Sequence, residues 1–185
     1  MPATLVARLG LAIGDRVDVD VLSAQTEREE PGLARQRAYY LLSHSERTAA
    51  QLRSKLADDG FDEATSSALI DDLVERELVN DARYADMVVR TFADGRGYGV
   101  SRIRGELKSR GVDTETAEAA ISQHLDATDE EDRALAAARA MTRGRQLDVR
   151  KLAGRLARRG FSASVAFRAA RLAGAPEDEH DLEGA

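Results

Sequence analysis

The side chains in this chain best placed to do chemistry are cations. Arg102, Arg104, Lys108 and Arg110 fall in one short stretch, and Arg143, Arg145, Arg150, Lys151, Arg155, Arg158 and Arg159 in another. A guanidinium presents a planar fork that matches phosphate and carboxylate, so clustered arginines suit recognition of a polyanion or an acidic surface. Their chemistry is binding rather than turnover. The overall charge of −6 conceals this cluster. From Arg133 to Arg171 there are eleven basic residues against one acid, Asp148, while the rest of the chain carries 16 basic and 32 acidic residues. An acidic protein with one basic third is expected to use that third on a partner.

Catalytic and metal-binding patterns are weak by comparison. His44, His124 and His180 are the only histidines, and none has a second ligand or base at helical spacing. The absence of cysteine excludes disulfides and thiolate metal sites. Carboxylates such as Asp71-Asp72, Glu75 and Glu77 fall on polar positions of an amphipathic helix and read as a solvated face. The Gly95-Arg96-Gly97-Tyr98-Gly99 run lacks the preceding strand and the lysine of a nucleotide loop, and reads as a flexible connector. Its lesser reading is a backbone phosphate contact at the helix start after Gly99, beside Arg102 and Arg104. No cofactor and no metal are expected.

These cations must be carried by helices, and the helices are written as a repeat. Leu52, Leu56, Gly60 and Phe61 recur as Ile103, Leu107, Gly111 and Val112, and again as Leu152, Leu156, Gly160 and Phe161, with copies 51 and 49 residues apart. Aliphatic residues four apart share one helix face. The glycine four residues on ends the helix in the left-handed conformation, which closes a Schellman motif when the next residue is apolar. Asp62, Asp113 and Ser162 follow as N-caps of the next helix. A further helix precedes each pair: Ala85, Val89 and Phe92 mark it in copy two, Ala134, Ala138 and Met141 in copy three, and Tyr39 with Leu42 in copy one, where the link is one residue shorter. Ser43 with Glu46 and Thr128 with Glu131 read as capping boxes, and Asn80-Asp81 opens the first helix of copy two.

The expected fold is therefore all-α: three tandem three-helix repeats, at 33–79, 80–127 and 128–175, forming an elongated, curved array. Units of about 50 residues are marginal alone and should share apolar faces. Apolar residues make up 43% and aromatics 4%, so the core is aliphatic. Residues 1–32, with the alternating Val17 to Val21 stretch and Pro31-Gly32, read as a weakly ordered arm. Residues 176–185, with five acids, read as a disordered tail. No apolar run approaches a membrane span, and no signal peptide is apparent, which reads as a cytoplasmic protein.

Leu78-Val79-Asn80-Asp81-Ala82-Arg83-Tyr84-Ala85, then Gly97-Tyr98-Gly99, then Arg102 through Val112 resemble the RecX family of bacterial recombination regulators. The resemblance covers about residues 33–174. It implies a non-enzymatic inhibitor of the RecA recombinase, acting in DNA repair and the SOS response. Such a protein lies in the groove of the RecA–DNA filament and limits filament growth, ATP hydrolysis and strand exchange. It also implies direct contact with DNA, single- or double-stranded, by a monomer. On this reading copies two and three supply the charge, while acidic copy one contacts protein or nothing. The rival readings are an autonomous helical DNA-binding protein and a general protein-interaction scaffold.

Overall fold

The structure, a computed structural model, describes residues 2–125, 127–143 and 147–176, with the side chains of 127–129 also outside the description. All regular structure among the described residues is helical. The helices are α1 (Ala3–Arg8), α2 (Val19–His44), α3 (Ala49–Asp58), α4 (Glu63–Glu75), α5 (Asp81–Arg90), α6 (Val100–Ser109), α7 (Thr114–His124), α8 (Ala127–Thr142), α9 (Val149–Arg158) and α10 (Ala163–Leu172). The chain divides into two compact units, Met1–Tyr84 and Ala85–Ala185.

Each anticipated helix stop has the geometry its residues require. Gly60, Gly111 and Gly160 adopt φ of 87°, 78° and 93°. The amides of Phe61, Val112 and Phe161 donate back to Leu56, Leu107 and Leu156 at 3.1, 3.1 and 3.3 Å. These are the six-to-one bonds of a Schellman closure, and the apolar residue after each glycine is buried. Asp62 and Asp113 then cap α4 and α7, accepting from Thr65 and Thr116 at 3.0 and 2.9 Å, and Ser162 caps α10. Helix, stop and helix are thus encoded within about ten residues, three times.

In the first unit, Ala34, Ala38 and Leu41 of α2 pack with Leu52, Leu56, Phe61, Leu69, Ile70 and Leu73. This corrects the expected Tyr39–Leu42 stripe, because Tyr39 is 42% exposed. The buried triplet lies 51 residues before Ala85, Val89 and Phe92, so the link in copy one is not shorter. Two alanines hold the positions that allow α2 close to its neighbours, and bulk alone misplaces the face by one residue.

Two other expectations change. The start of α3 is capped by Thr48 with Gln51, a reciprocal pair at 3.0 and 3.2 Å, and not by Ser43 with Glu46. Ser43 lies inside α2 and donates to the Tyr40 carbonyl. The Thr128–Glu131 pair lies outside the described side chains. The segment read as a weak arm is mostly helical: Asp18 caps α2, so the alternating Val-Asp run is a cap and a first turn. Leu5 of α1 is fully buried, Arg8 pairs with Glu29 at 2.8 Å, and buried Glu30 accepts the Asp62 amide at 2.6 Å. Pro31 sits inside α2 without ending it. Beyond Pro176, the tail lies outside the described residues.

In the second unit, α8, α9 and α10 enclose a cluster of Ala134, Ala137, Ala138, Val149, Leu152, Leu156, Phe161, Ala166 and Ala170. Ile103 and Leu107 of α6 are likewise fully buried.

Candidate polyanion-binding face

The glycine-rich run between α5 and α6 is a packed seam, which corrects the flexible-connector reading. A π-helical turn, Thr91–Gly95, leads into it, and the Tyr98 amide donates back to Phe92 at 2.9 Å. Gly99 then donates to the Arg159 carbonyl at 2.9 Å, and Ser101 to the Gly160 carbonyl at 3.1 Å. A Cβ on Gly99 would overlap the Gly160 carbonyl group, and a Cβ on Gly160 would overlap the backbone of Arg102. Two main chains touch here, and only glycine leaves room. The start of α6 is consequently occupied: its Val100 amide faces Glu130 Oε1 at 3.3 Å, and Ser101 serves Gly160. Those groups are committed to protein acceptors, which removes the phosphate-contact reading.

The seam brings α6 and α9 together, and their cations have different surroundings. On α6, Glu106 stands one turn from two of them, with Arg102 at 2.9 Å and Arg110 at 2.6 Å. The Arg110 hydrogen bond, joined by the charges of Arg110 and Arg102, holds the Glu106 carboxyl below its usual range. Arg104 pairs with Glu118 of α7, with a second contact at 2.9 Å. Hydrogen bonding to Glu118 raises the Arg104 guanidinium, and the same bond lowers Glu118. Arg102 also lies over the Tyr98 ring at 5.7 Å and Arg110 over Phe92 at 5.3 Å. Lys108 is exposed and forms no ion pair among the described residues.

On α9 the core face is Val149, Leu152, Ala153 and Leu156, and the cations cover the remaining surface. Lys151 pairs with the cap residue Asp148 at 2.7 Å, and the Lys151 hydrogen bonds hold that carboxyl low. Arg150 and Arg158 are exposed and Arg155 is half-buried. Arg155 and Arg158 meet no carboxylate among the described residues. Arg159 turns into the seam, its Nη1 donating to the Arg96 carbonyl at 3.4 Å. Arg143 is exposed just beyond α8, and Arg145 lies outside the described residues.

The acids that neutralise α6 are where sequence reasoning falls short. Glu106 between Arg102 and Arg110 is legible from the spacing of four along a helix. Glu118 comes from the next helix and has no such signal. Arg96, held over Phe92 at 4.5 Å, is hidden in a run that reads as a linker. His124 Nε2 lies 3.2 Å from Asp86 Oδ1, a pairing across 38 residues, and His44 Nδ1 contacts the Tyr40 carbonyl. His180 lies outside the described residues. Among the described residues no group of histidines and carboxylates is arranged to hold a metal, and no helix is long and apolar enough to cross a membrane.

Comparison with known proteins agrees with this architecture. Residues 34–73 match the RecX first three-helix domain and residues 80–121 the RecX second three-helix domain. The regulatory protein RecX of Mycobacterium sp. (strain JLS) is 37% identical over 136 residues, covering 69% of this chain and 74% of that protein. That of Thermobifida fusca is 38% identical over 135 residues, covering 71% and 73%. That of Streptomyces coelicolor is 32% identical over 169 residues, covering 85% and 88%. The fold is shared with the crystal structure of RecX from Lactobacillus salivarius, at a TM-score of 0.69 and 23% identity over 80% of this chain and 98% of that one. Repeat, caps and sequence similarity lead to one conclusion: the chain belongs to the RecX family of regulatory proteins.

Proposed function

We propose that this protein is a non-enzymatic inhibitor of the RecA recombinase. It binds in the groove of the RecA–DNA filament as a monomer, without a cofactor, and limits filament growth, ATP hydrolysis and strand exchange in the cytoplasm. The family supports the regulatory role. The observation that carries the site is the outward face of α9, where Arg155 and Arg158 have no carboxylate partner among the described residues. Cations in that state exchange water and counterions for phosphate without first breaking an internal pair. Contact with single- or double-stranded DNA is then made through the backbone, with little sequence preference. Arg102, Arg104 and Arg110, already paired, play the smaller part.

The test is DNA-dependent ATP hydrolysis by the cognate recombinase on single-stranded DNA, with this protein and its R155E/R158E variant titrated in. Inhibition well below one protein per recombinase protomer, weakened about tenfold or more in the variant, is expected. Equal inhibition by both proteins refutes the α9 face. No inhibition at stoichiometric excess refutes the regulator itself.

A further inference from the structure

Arg96 is held in a different way from Arg102, Arg104 and Arg110. It caps the π-helical turn Thr91–Gly95, a kind of turn frequent at functional sites, and its guanidinium lies over the Phe92 ring at 4.5 Å. Arg96 is exposed and meets no carboxylate among the described residues, and Asp94 of the same turn forms no ion pair among them. Stacking covers the flat face of a guanidinium and leaves its edge, where the five N–H donors lie, open to an anion. A carboxylate takes up that edge itself, as Glu106 does for Arg102 and Arg110. The ring therefore fixes Arg96 without neutralising it.

A second cation reaches the same loop from α9. Arg159 Nη1 lies 3.4 Å from the Arg96 carbonyl and 3.8 Å from where a Cβ on Gly97 would stand. That contact engages one end of a half-buried guanidinium, which meets no carboxylate among the described residues. Glycine at 97 keeps the loop free of a side chain beside it. Arg159 follows Arg155 by four positions, so the two share a face at the end of α9. The cations of α9 thus lead through Arg159 to the loop that carries Arg96.

We propose that Arg96 and Arg159 form a phosphate clamp for single-stranded DNA at the seam, continuing the contact that begins at Arg155 and Arg158. The inference rests on the reading of α9 as a binding face and adds a residue from another element. A single strand can turn from the helix onto the loop, whereas a duplex is stiff over about 150 base pairs. Phe92 is buried, so its ring holds a guanidinium and receives no base, and the clamp reads backbone alone.

The test measures binding of a fluorescein-labelled oligothymidylate, and of a labelled duplex, across a salt series. The proteins are full-length parent, R96Q, R96K, R159Q, R155E/R158E and R53Q, the last removing one exposed charge from the first unit. R96Q and R159Q should each weaken oligothymidylate binding about 3- to 10-fold at low salt and flatten its salt dependence by about 0.7. R96K, which keeps the charge and loses the fork, should keep the salt dependence with affinity between R96Q and parent. Equal weakening in R53Q assigns the effect to net charge and overturns the clamp. An unchanged R96Q beside a weakened R155E/R158E overturns the clamp and leaves the α9 face intact. If R155E/R158E binds as well as the parent, the α9 face fails and the continuous path with it. Equal dependence on Arg96 for duplex and single strand overturns the turn onto the loop. Loss of recombinase inhibition in R96Q with oligothymidylate binding unchanged assigns Arg96 to a protein contact and overturns the phosphate. The parent alone supplies a reading that no misfolded variant can disturb: the side-chain Nε–H signals of Arg96 and Arg159 should shift on adding oligothymidylate, and their constancy overturns the proposal.

Discussion

Helices α6 and α9 occupy the same place in successive repeats, end in the same glycine closure, and carry similar numbers of cations. They differ in their acids. Glu106 sits inside α6 between two arginines, and Glu118 reaches a third, whereas on α9 Asp148 pairs with Lys151, and Arg155 and Arg158 meet no carboxylate among the described residues. Counting basic residues therefore does not locate a binding face. A guanidinium already bridged by carboxylate must lose that bond before meeting phosphate, and the loss reduces the gain. The two copies of one repeat thus differ in charge pairing: three α6 arginines meet carboxylates, while Arg155 and Arg158 of α9 meet none among the described residues.

The seam that joins the end of α9 to the start of α6 is the feature whose loss has the largest effect. Gly160→Ala places a Cβ against the Arg102 backbone at a φ of 93°, and combines overlap with left-handed strain. A loss of roughly 3 kcal/mol or more is expected, read as a shifted midpoint in urea denaturation. Gly174→Ala has the same left-handed strain, at a φ of 75°, but meets open space and is the matched control. Equal effects of the two substitutions would show that the seam contributes nothing special to stability.

Next in size is the reversal of charge. R155E/R158E should weaken binding to single-stranded DNA about tenfold or more, and flatten its salt dependence by about 0.7 for each phosphate no longer neutralised. R102E/R110E should cost markedly less by the same assay, although it too reverses two charges. Equal weakening by the two variants would break the comparison.

A gain of function sharpens it. Glu106→Gln removes the shared partner of Arg102 and Arg110 and makes α6 resemble α9. DNA affinity should rise about two- to threefold, while stability falls by a few tenths of a kcal/mol, as for exposed pairs.

The smallest effect is on acid stability. Glu106 and Glu118 are held below their ordinary value of 4.5, first by hydrogen bonds from Arg110 and Arg104. A carboxyl lowered in the folded state stabilises it above the unfolded value, and that contribution disappears as pH falls through the folded value. Thermal midpoints should drop below about pH 4.5, with a shallower drop in an E106Q/E118Q variant. An identical drop in both proteins would assign acid sensitivity elsewhere.

What can be read in the sequence follows the range of the forces involved. Helix stops depend on three or four adjacent residues, so Gly60, Gly111 and Gly160 and their caps are legible one residue at a time. The face of α2 is misread by one residue because Ala34 and Ala38 carry little apolar signal, although they make the close contact. The helical character of residues 2–32 comes from partners far along the chain. The Asp62 amide donates to Glu30, and Arg8 reaches Glu29, neither visible as a local pattern. The cations are all visible, but their availability is not, since Glu118 belongs to another helix and Gly99 meets Gly160 across 61 positions. Local chemistry is written in the sequence locally, and neutralisation is written at a distance.

The bonds from Gly99 and Ser101 to the carbonyls of Arg159 and Gly160 also bear on how the molecule opens. They lie within no single helix, yet both amides stay hydrogen-bonded while the two repeats are docked. Deuterium should enter these positions only when the second unit opens as a whole, more slowly than at the opposite ends of α6 and α9. A stretch written like a linker would then be among the last parts of the unit to exchange, and its protection would report the joining of two repeats into one cooperative body.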